Sequence, residues 1–424
     1  MEYGEVQLRG KNMPEEFDRN ALLHSIKICG KNKDLTKGRK IHAHIIQRGL
    51  AEKDVYMSTA LISMYVKCSV LAKAQEVFDE IHVRDVVSWN ALLSGYSQHG
   101  FGHESLSLFP VMQEQGLLPD EVTFSCLLKA CSTTGSISEG QKIHAELRGN
   151  GILRNNLVIG TSLVDMYAKC GMLQEAREAF DELHERDVVS WNALITGYGH
   201  HGLSNEALKC YEEMRGDDVT PDAVTFTCVL KVCGSIGLSE KGEEIRVEVR
   251  KRGLLKNNVM LGNALVDMYA KCGLLSKAQE VLDKLPVRDT VSWTSLIIGY
   301  AQQGLGEEAL NSYLRMREEG LSPDSITFAC MLKVCGSLGF IEMGEEIHEE
   351  IRKQGLLGKD FVLGTALVDM YAKCGLIEKA QEVFDEVESN DACSWTALIS
   401  GYVQQGLYDE ALICFSQMKD LGLS

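Results

Sequence analysis

Apolar residues in this chain follow the period of an α-helix, in pairs of stretches that a glycine separates. Between residues 157 and 187, the first stretch has apolar side chains at i, i+3, i+4 and i+7, namely Leu163, Met166, Tyr167 and Cys170. After Gly171, a second stretch has apolar side chains on one face, namely Leu173, Ala176, Phe180 and Leu183. Strand-like alternation is absent. The pattern predicts a helical hairpin, which is two helices joined by a turn.

The hairpin pattern recurs along almost the whole sequence. The four tryptophans are spaced 102 residues apart, at Trp89, Trp191, Trp293 and Trp395. Each 102-residue unit divides into hairpins of 35, 36 and 31 residues. After a leader at 1–18, the predicted hairpins span 19–54, 55–85, 86–120, 121–156, 157–187, 188–222, 223–258, 259–289, 290–324, 325–360, 361–391 and an incomplete 392–424. Since one hairpin cannot bury both of its stripes, stacking must bury them, and the sequence predicts an all-α superhelical solenoid with a concave groove.

Charge and cysteine usage narrow the possible functions. The net charge is −17, whereas nucleic-acid binders usually present a basic surface, so any such site needs a local stripe of cations. The 14 cysteines mostly recur at the repeat interval, which indicates copies of one structural position and reduced thiols rather than a disulfide framework. We expect no membrane span, no metal site and no cofactor, and residues 1–20 show no targeting peptide.

Three strings make the repeat recognisable: VVSWNALITGYGHHGLSNEALKCYEEMRGDDVTPD (188–222), AVTFTCVLKVCGSIGLSEKGEEIRVEVRKRGLLKNN (223–258) and VMLGNALVDMYAKCGLLSKAQEVLDKLPVRD (259–289). They resemble the P, L and S repeats of plant pentatricopeptide-repeat proteins of the PLS class. The resemblance covers residues 19–424 and implies a right-handed α-solenoid. It divides the hairpins into L hairpins (19–54, 121–156, 223–258, 325–360), S hairpins (55–85, 157–187, 259–289, 361–391) and P hairpins (86–120, 188–222, 290–324 and the incomplete 392–424).

What the resemblance implies is RNA binding. Members of this class bind single-stranded RNA in mitochondria and chloroplasts, mostly as specificity factors for cytidine-to-uridine editing. Many carry a C-terminal extension that ends in a zinc deaminase, and residues 1–424 contain none. The implied chain is a monomer in a mitochondrion or chloroplast, without enzymatic activity, whose partners are RNA and an editing factor or deaminase recruited in trans.

The resemblance places base-reading residues at the fifth and last positions of each hairpin, about one base per hairpin. An ionised Asp only accepts hydrogen bonds, whereas Asn both donates and accepts. A terminal Asp should therefore favour uracil or guanine, whose ring N–H donates, and a terminal Asn should favour adenine or cytosine. A short Thr or Ser at the fifth position leaves room for a purine, and a longer Asn reaches a pyrimidine.

The predicted pairs, in chain order, are Thr59/Asp85, Asn90/Asp120, Ser125/Asn156, Thr161/Asp187, Asn192/Asp222, Thr227/Asn258, Asn263/Asp289, Thr294/Asp324, Ala329/Asp360 and Thr365/Asp391. They predict the RNA G-U-A-G-U-A-U-G-N-G, in which N stands for the Ala329 hairpin. Thr396 is the fifth residue of the incomplete hairpin, and the first hairpin, with Leu23 there, is assigned no base. The alternative is that these polar residues are helix N-caps and loop residues.

Two further sets of residues complete the predicted site. The second residues of the hairpins are apolar and would wedge between bases, as in the family, or else belong to the core: Val87, Val122, Val158, Val189, Val224, Met260, Val291, Ile326 and Val362. Phosphates need cations, for which the candidates are the S-hairpin lysines Lys67, Lys169, Lys271 and Lys373 and the L-hairpin lysines Lys27, Lys129, Lys231 and Lys333. The alternative is that these lysines are scattered over the surface and contact only solvent.

The leading interpretation is a sequence-specific single-stranded RNA-binding solenoid that acts in editing or RNA processing. The alternative is a protein-interaction scaffold of the tetratricopeptide type. The acidity favours the scaffold, and the 35/36/31 alternation with patterned Asp and Asn at hairpin ends favours RNA.

Overall fold

The computed structural model describes residues 15–50, 54–357, 360–387 and 391–422, which form two compact units divided after Gly202. The helices of the first unit are Glu15–Asn32, Leu35–Gln47, Val55–Lys67, Leu71–Asp79, Val86–Gln98, Gly102–Glu114, Glu121–Thr134, Ile137–Gly149, Ile152–Asn155, Leu157–Lys169, Leu173–Asp181 and Val188–His200.

The second unit repeats the same order of elements. Its helices are Ser204–Gly216, Ala223–Ser235, Ser239–Lys251, the 3₁₀ turn Leu254–Asn257, Val259–Lys271, Leu275–Lys284, Thr290–Gln302, Gly306–Glu318, Ser325–Leu338, Ile341–Lys353, Phe361–Lys373, Ile377–Glu386, Ala392–Gln404 and Tyr408–Asp420.

Each unit has two layers of helices. The first helices of consecutive hairpins lie side by side, so that Val86–Gln98 packs against both Val55–Lys67 and Glu121–Thr134. Where both helices lie in the same unit, a second helix packs on its own first helix and on the first helix of the next hairpin, as Leu275–Lys284 packs on Val259–Lys271 and Thr290–Gln302. The two stripes predicted for each hairpin are therefore buried between neighbours.

Large aromatic side chains fill the space where hairpins meet. Trp89 is almost fully buried and meets Phe78 of the preceding hairpin edge to face, with ring centroids 4.7 Å apart. Between the two helices of a hairpin, Gly171 adopts a φ of 78°, where a side chain would be strained. Gly299 lies where two first helices pack closely, and a Cβ at this position would lie only 2.8 Å from Cβ of Ala270.

The prediction of an all-α fold of stacked helical hairpins is confirmed, and the described residues contain no strand. Two details differ from the sequence interpretation. The first helix begins at Glu15, inside the segment assigned as a leader, of which residues 1–14 lie outside the described residues. Short turns at Ile152–Asn155 and Leu254–Asn257 precede the S hairpins, where no helix was expected.

Among the described helices, none combines the length and the apolar character that crossing a lipid bilayer requires.

Candidate nucleic-acid interface

The first helices line open grooves that collect the predicted site residues. In the second unit, a groove of about 780 Å³ is lined by the fifth residues Ala329, Thr365 and Thr396, by Val362, by the terminal Asp391, and by Lys333 and Lys373. Two grooves in the first unit hold further members of the predicted sets. One contains Thr59, Lys27 and Lys67, and the other contains Val122, Ser125, Lys129 and Val158. In each unit, members of the three predicted sets therefore lie together on one face, which we call the groove face.

The last residue of each hairpin caps the first helix of the next one. A carboxylate oxygen of Asp85 accepts a hydrogen bond from the backbone N–H of Ser88 at 2.8 Å, and the Ser88 hydroxyl closes a capping box. Asn258 accepts in the same way from the N–H of Leu261 at 3.0 Å. The same capping bond is made by Asp120, Asn156, Asp187, Asp222, Asp289, Asp324 and Asp391. Asp360 caps its helix through the N–H of Val362, two residues later, at 3.1 Å. The N-cap interpretation is therefore confirmed for these residues, and it leaves carboxylate lone pairs for other donors.

Fifth residues lie next to the last residue of their own hairpin. The Asn90 amide donates to Oδ1 of Asp120 at 2.8 Å, and the Asn263 amide lies 3.0 and 3.1 Å from the two oxygens of Asp289. The Thr365 hydroxyl lies 3.5 Å from Oδ1 of Asp391, the limit of a hydrogen bond. The structure therefore brings together residues 26 or 30 positions apart in sequence.

The remaining fifth residues use their side chains differently. The hydroxyls of Thr227, Thr294 and Thr396 each donate to the helix carbonyl four residues earlier, at 2.7 Å. The hydroxyl oxygens of Thr59 and Thr161 are buried and have no hydrogen-bond partner in the described part of the chain. Asn192 is buried on the groove face, and Ser125 is half-buried. A buried hydroxyl without a partner costs free energy, so the two S-hairpin threonines are ready to bond a ligand.

The second residues of the hairpins face solvent. All nine predicted members are more than half exposed, from 53% for Val122 to 69% for Val158 and Met260. The core alternative is therefore wrong for these residues, because the third residue of the same hairpin, such as Leu363, takes the buried position instead. Sequence reasoning missed Tyr56, the 70% exposed second residue of hairpin 55–85, which the spacing alone would have included.

The S-hairpin lysines lie at the ends of the first helices, and three of them are paired with a carboxylate. Nζ of Lys169, Lys271 and Lys373 lies 2.6–2.8 Å from the aspartate four residues earlier, which is Asp165, Asp267 or Asp369. These aspartates were visible in the repeated string VDMYAK but were not considered. Lys67 has Ser63 at that position.

The L-hairpin lysines form the less neutralised set. Lys27, Lys129, Lys231 and Lys333 are exposed, and no carboxylate of the described residues pairs with them. Acidic residues concentrate on the second helices, where Arg177 pairs with Asp181 and Arg148 with Glu182. The groove face is therefore less acidic than the net charge suggests.

In the first hairpin, to which the sequence assigned no base, the terminal carboxylate already binds an arginine side chain. Arg19 donates two hydrogen bonds to Asp54, which lowers the pKa of that carboxyl group, and Leu23 replaces the polar fifth residue. This end of the array therefore offers a base no acceptor comparable to the others.

Two histidines on the second helices of L hairpins, the half-buried His144 and the buried His348, are structural. Nδ1 of His144 lies 2.9 Å from the hydroxyl of Tyr167, and His348 makes the same contact with Tyr371. Burial lowers the pKa of both imidazoles and raises the pKa of both phenols to about 12. In the described residues, no group of three or more His, Cys, Asp or Glu side chains could hold a metal ion.

Comparisons with known proteins agree with the repeat pattern. The model of the PPR repeat matches residues 56–86, 122–152, 161–188, 224–254, 263–289, 326–356, 365–391 and 393–423. The model of the PPR repeat family matches 84–133, 186–235 and 288–337.

Relatives of the chain are found in Arabidopsis thaliana. A mitochondrial pentatricopeptide repeat-containing protein is 36% identical over 403 residues, which cover 95% of this chain and 58% of the relative. A chloroplastic one is 34% identical over 397 residues, which cover 94% and 64%. The chain thus spans roughly half to two thirds of the length of these relatives.

Solved structures share the fold. The crystal structure of the maize pentatricopeptide repeat protein PPR10 has a TM-score of 0.64 at 22% identity and covers 96% of this chain and 66% of PPR10. The structure of PPR10 in complex with an 18-nt psaJ RNA element has a TM-score of 0.72 at 20% identity and covers 88% and 56%.

Proposed function

The chain belongs to the pentatricopeptide-repeat family, and we propose that its groove face binds single-stranded RNA in a sequence-specific manner, with one base per hairpin. The observation that carries the proposal is the arrangement of the groove face. Exposed apolar second residues alternate there with fifth residues, of which Asn90, Asn263 and Thr365 lie beside a terminal Asp. Apolar side chains can pack on base faces while the polar pairs meet base edges. The family member PPR10 has been crystallised with an RNA element, which supports the same ligand here.

The proposed readers are the fifth and last residues assigned from the sequence, in L, S and P hairpins as divided there. Their caps leave one carboxylate oxygen, or the amide nitrogen of an Asn, to face a base. The expected RNA is G-U-A-G-U-A-U-G-N-G. Phosphates would lie against the lysines of the groove face, with the L-hairpin lysines contributing most because they carry no paired carboxylate.

We further propose that the chain acts as a specificity factor in organellar RNA editing or processing. Its relatives include mitochondrial and chloroplastic proteins, which supports an organelle as the site of action. The groove face carries base-reading and cationic groups rather than a nucleophile with its base, so chemistry on the RNA would come from a partner such as a deaminase recruited in trans. We propose that the chain binds RNA as a monomer.

The test is fluorescence anisotropy of labelled RNA across a salt series. The full chain should bind an RNA that contains GUAGUAUGNG more tightly than a scrambled RNA or a duplex. The double variant Asn192→Thr, Asn263→Thr should change the preference at nucleotides 5 and 7 from U toward G. Equal weak binding to all three RNAs would contradict the proposal.

One observation favours a second function, binding of protein partners. The net charge is −17, and three of the four S-hairpin lysines are paired with aspartates. A scaffold of this kind would bind no RNA at physiological salt and would keep its partners when the fifth residues are exchanged. The same titrations therefore distinguish the two functions.

A further inference from the structure

The third residue of each hairpin differs systematically between hairpin types. It is Ser in the P hairpins (Ser88, Ser190, Ser292, Ser394), Thr in the complete L hairpins after the first (Thr123, Thr225, Thr327) and apolar in the S hairpins (Met57, Ile159, Leu261, Leu363). All of the Ser and Thr members are buried, and all lie three residues after a terminal Asp. Their hydroxyls therefore point at the capping carboxylate or at its neighbours.

The serines and threonines direct their hydroxyls to different acceptors. Each Ser donates to the backbone carbonyl of the capping Asp, at 2.8 or 2.9 Å, and Ser394 also lies 3.1 Å from Oδ1 of Asp391. Each Thr instead places its hydroxyl 2.7–3.0 Å from the side-chain Oδ1 of the capping Asp. The β-methyl group of threonine restricts χ1, which accounts for a rotamer that serine does not adopt here.

The threonine rotamer reaches the base reader of the preceding P hairpin. The Thr123 hydroxyl lies 2.7 Å from Oδ1 of Asn90 and 2.9 Å from Oδ1 of Asp120. Oδ1 of Asp120 already accepts from the N–H of Thr123 and from the Asn90 amide, so the hydroxyl donates to the Asn90 oxygen. Both ends of the Asn90 amide are thereby fixed. Thr327 meets the reader Thr294 at 2.6 Å in the same way.

The S-hairpin reader Asn263 has no such support. The hairpin that follows it is a P hairpin, whose Ser292 donates to the Asp289 carbonyl at 2.8 Å. Oδ1 of Asn263 is buried and has no hydrogen-bond partner in the described residues. Two residue pairs that the sequence predicts to be equivalent, Asn90/Asp120 and Asn263/Asp289, therefore differ in the state of the amide oxygen.

We infer that Thr123, the third residue of an L hairpin, is a positioning residue, which sets how strictly the preceding P hairpin distinguishes uracil from cytosine. The inference rests on the proposed function. Uracil offers a ring N–H to the terminal carboxylate and a carbonyl oxygen to the second amide hydrogen of Asn. Cytosine offers an amino group, which needs an acceptor.

The two asparagines differ in what it costs to turn the side-chain amide oxygen toward that amino group. Thr123 holds Oδ1 of Asn90 in place, so turning this oxygen toward the amino group of a cytosine at nucleotide 2 would break the hydrogen bond to Thr123. Oδ1 of Asn263 has no such bond to lose when it turns toward a cytosine at nucleotide 7. Uracil should therefore be favoured over cytosine more strongly at nucleotide 2 than at nucleotide 7, by about 5-fold, which is the worth of one net hydrogen bond.

The test uses the full chain and three labelled RNAs: GUAGUAUGUG and its U-to-C variants at nucleotide 2 and at nucleotide 7. Thr123→Val keeps the shape and the backbone cap but removes the hydroxyl, and should lower the U-over-C ratio at nucleotide 2 by about 5-fold while leaving nucleotide 7 unchanged. Thr123→Ser should do the same, because serine hydroxyls here turn to the backbone. Ser292→Thr should raise the ratio at nucleotide 7.

The outcomes separate the inference from the function. Failure of the wild-type chain to prefer GUAGUAUGUG over a scrambled RNA overturns the proposed function. Specific wild-type binding with an unchanged ratio at nucleotide 2 in both Thr123 variants overturns the inference alone. A purely structural role would lower affinity for all RNAs equally and lower the melting temperature, without moving the ratio. If Thr123→Val does not fold, Thr123→Ser and Ser292→Thr decide the matter.

Discussion

The side-chain amide of Asn90 donates to a carboxylate oxygen of Asp120 at 2.8 Å, across two positions that are 30 residues apart. The same oxygen accepts the backbone N–H of Thr123 at 2.9 Å and so caps the helix Glu121–Thr134. One carboxylate thus joins the reader of one hairpin to the helix start of the next. The cap and the contact with Asn90 both use Oδ1, which leaves Oδ2 of Asp120 for the proposed base contact.

The exposed second residues can be separated from the core by substitution. Val362 is 65% exposed, so Val362→Ala should change the free energy of unfolding by less than about 0.5 kcal/mol. If Val362 packs on a base, the lost methyl groups should weaken RNA binding by about 5- to 10-fold. Urea denaturation and anisotropy measure the two effects.

The neighbouring residue is the matched control for Val362. Leu363 is fully buried, and Leu363→Ala should cost about 2–5 kcal/mol of unfolding free energy. A Val362→Ala variant that loses stability but binds RNA with unchanged affinity would show that the second residues serve the fold and not the ligand.

Neutralising the aspartates that pair with the S-hairpin lysines should increase the affinity of the chain for RNA. Nζ of Lys271 lies 2.8 Å from Asp267, so Asp267→Asn frees a cation on the groove face. We expect tighter RNA binding and a steeper dependence of log K on log salt, by about 0.7 for one released charge on single-stranded RNA. Anisotropy titrations between 50 and 200 mM salt, a range roughly bracketing the physiological one, measure the slope.

A distant carboxylate is the control for net charge. Glu280 pairs with Lys284 on a second helix, and Glu280→Gln makes the same change in charge away from the groove face. It should leave both the affinity and the slope nearly unchanged. An equal gain from Glu280→Gln would mean that the overall charge of the chain, and not the position of Lys271, governs binding.

The fold follows from the sequence more directly than the site does. The two apolar stripes on either side of Gly171 predict a helical hairpin. This hairpin must stack on its neighbours, because only neighbouring hairpins can bury both stripes. By contrast, Phe361, Val362 and Leu363 are three successive apolar residues, and periodicity alone cannot say which of them faces solvent. Packing decides it in favour of burying Leu363. Likewise, the pairing of Lys271 with Asp267 and the unpaired oxygen of Asn263 depend on side-chain rotamers, which residue spacing does not fix.

Acidic pH should destabilise the chain through its buried histidines. Burial lowers the pKa of His348, and Nε2 of its ring has no hydrogen-bond partner in the described part of the chain. Because the folded pKa lies below the unfolded value of about 6.5, the unfolded chain binds more protons as pH falls through 6.5. The contribution of the neutral histidine to stability is therefore complete above about pH 6.5, and it decreases as the pH falls from there to the folded pKa. Urea midpoints at pH 7.5 and at pH 5.5, roughly one unit on either side of that value, should show the loss.

A substitution assigns this pH dependence to the histidine. His348→Gln can still hydrogen-bond the hydroxyl of Tyr371 but does not titrate, so the difference between the two midpoints should shrink. The charged neighbours Arg352 and Glu386 remain in place. His184→Gln, at an exposed position, should leave the difference as in the wild type. An unchanged pH dependence in His348→Gln would show that other groups cause it.

The double use of terminal residues leads to a variant that changes the base read without changing stability. Asp324 caps the helix Ser325–Leu338 by accepting the N–H of Thr327 at 2.8 Å, and it ends the hairpin of Thr294. Asn caps a helix about as well as Asp, so Asp324→Asn should keep the unfolding free energy within about 0.5 kcal/mol. Its amide nitrogen can donate to the bare ring nitrogen of adenine, whereas the carboxylate only accepts from the ring N–H of guanine.

We therefore expect Asp324→Asn to change the preference at nucleotide 8 from G toward A, measured by anisotropy with RNAs that differ only there. Asp324→Ala removes both functions and should cost about 1 kcal/mol of stability together with the preference for G. If Asp324→Asn loses stability as Asp324→Ala does, the carboxylate has a structural role that an amide cannot replace. If it keeps both its stability and its preference for G, then the terminal residue caps the helix and does not read the base. Only a stable variant with an altered preference is consistent with one residue that serves the helix with one oxygen and the base with its other atom.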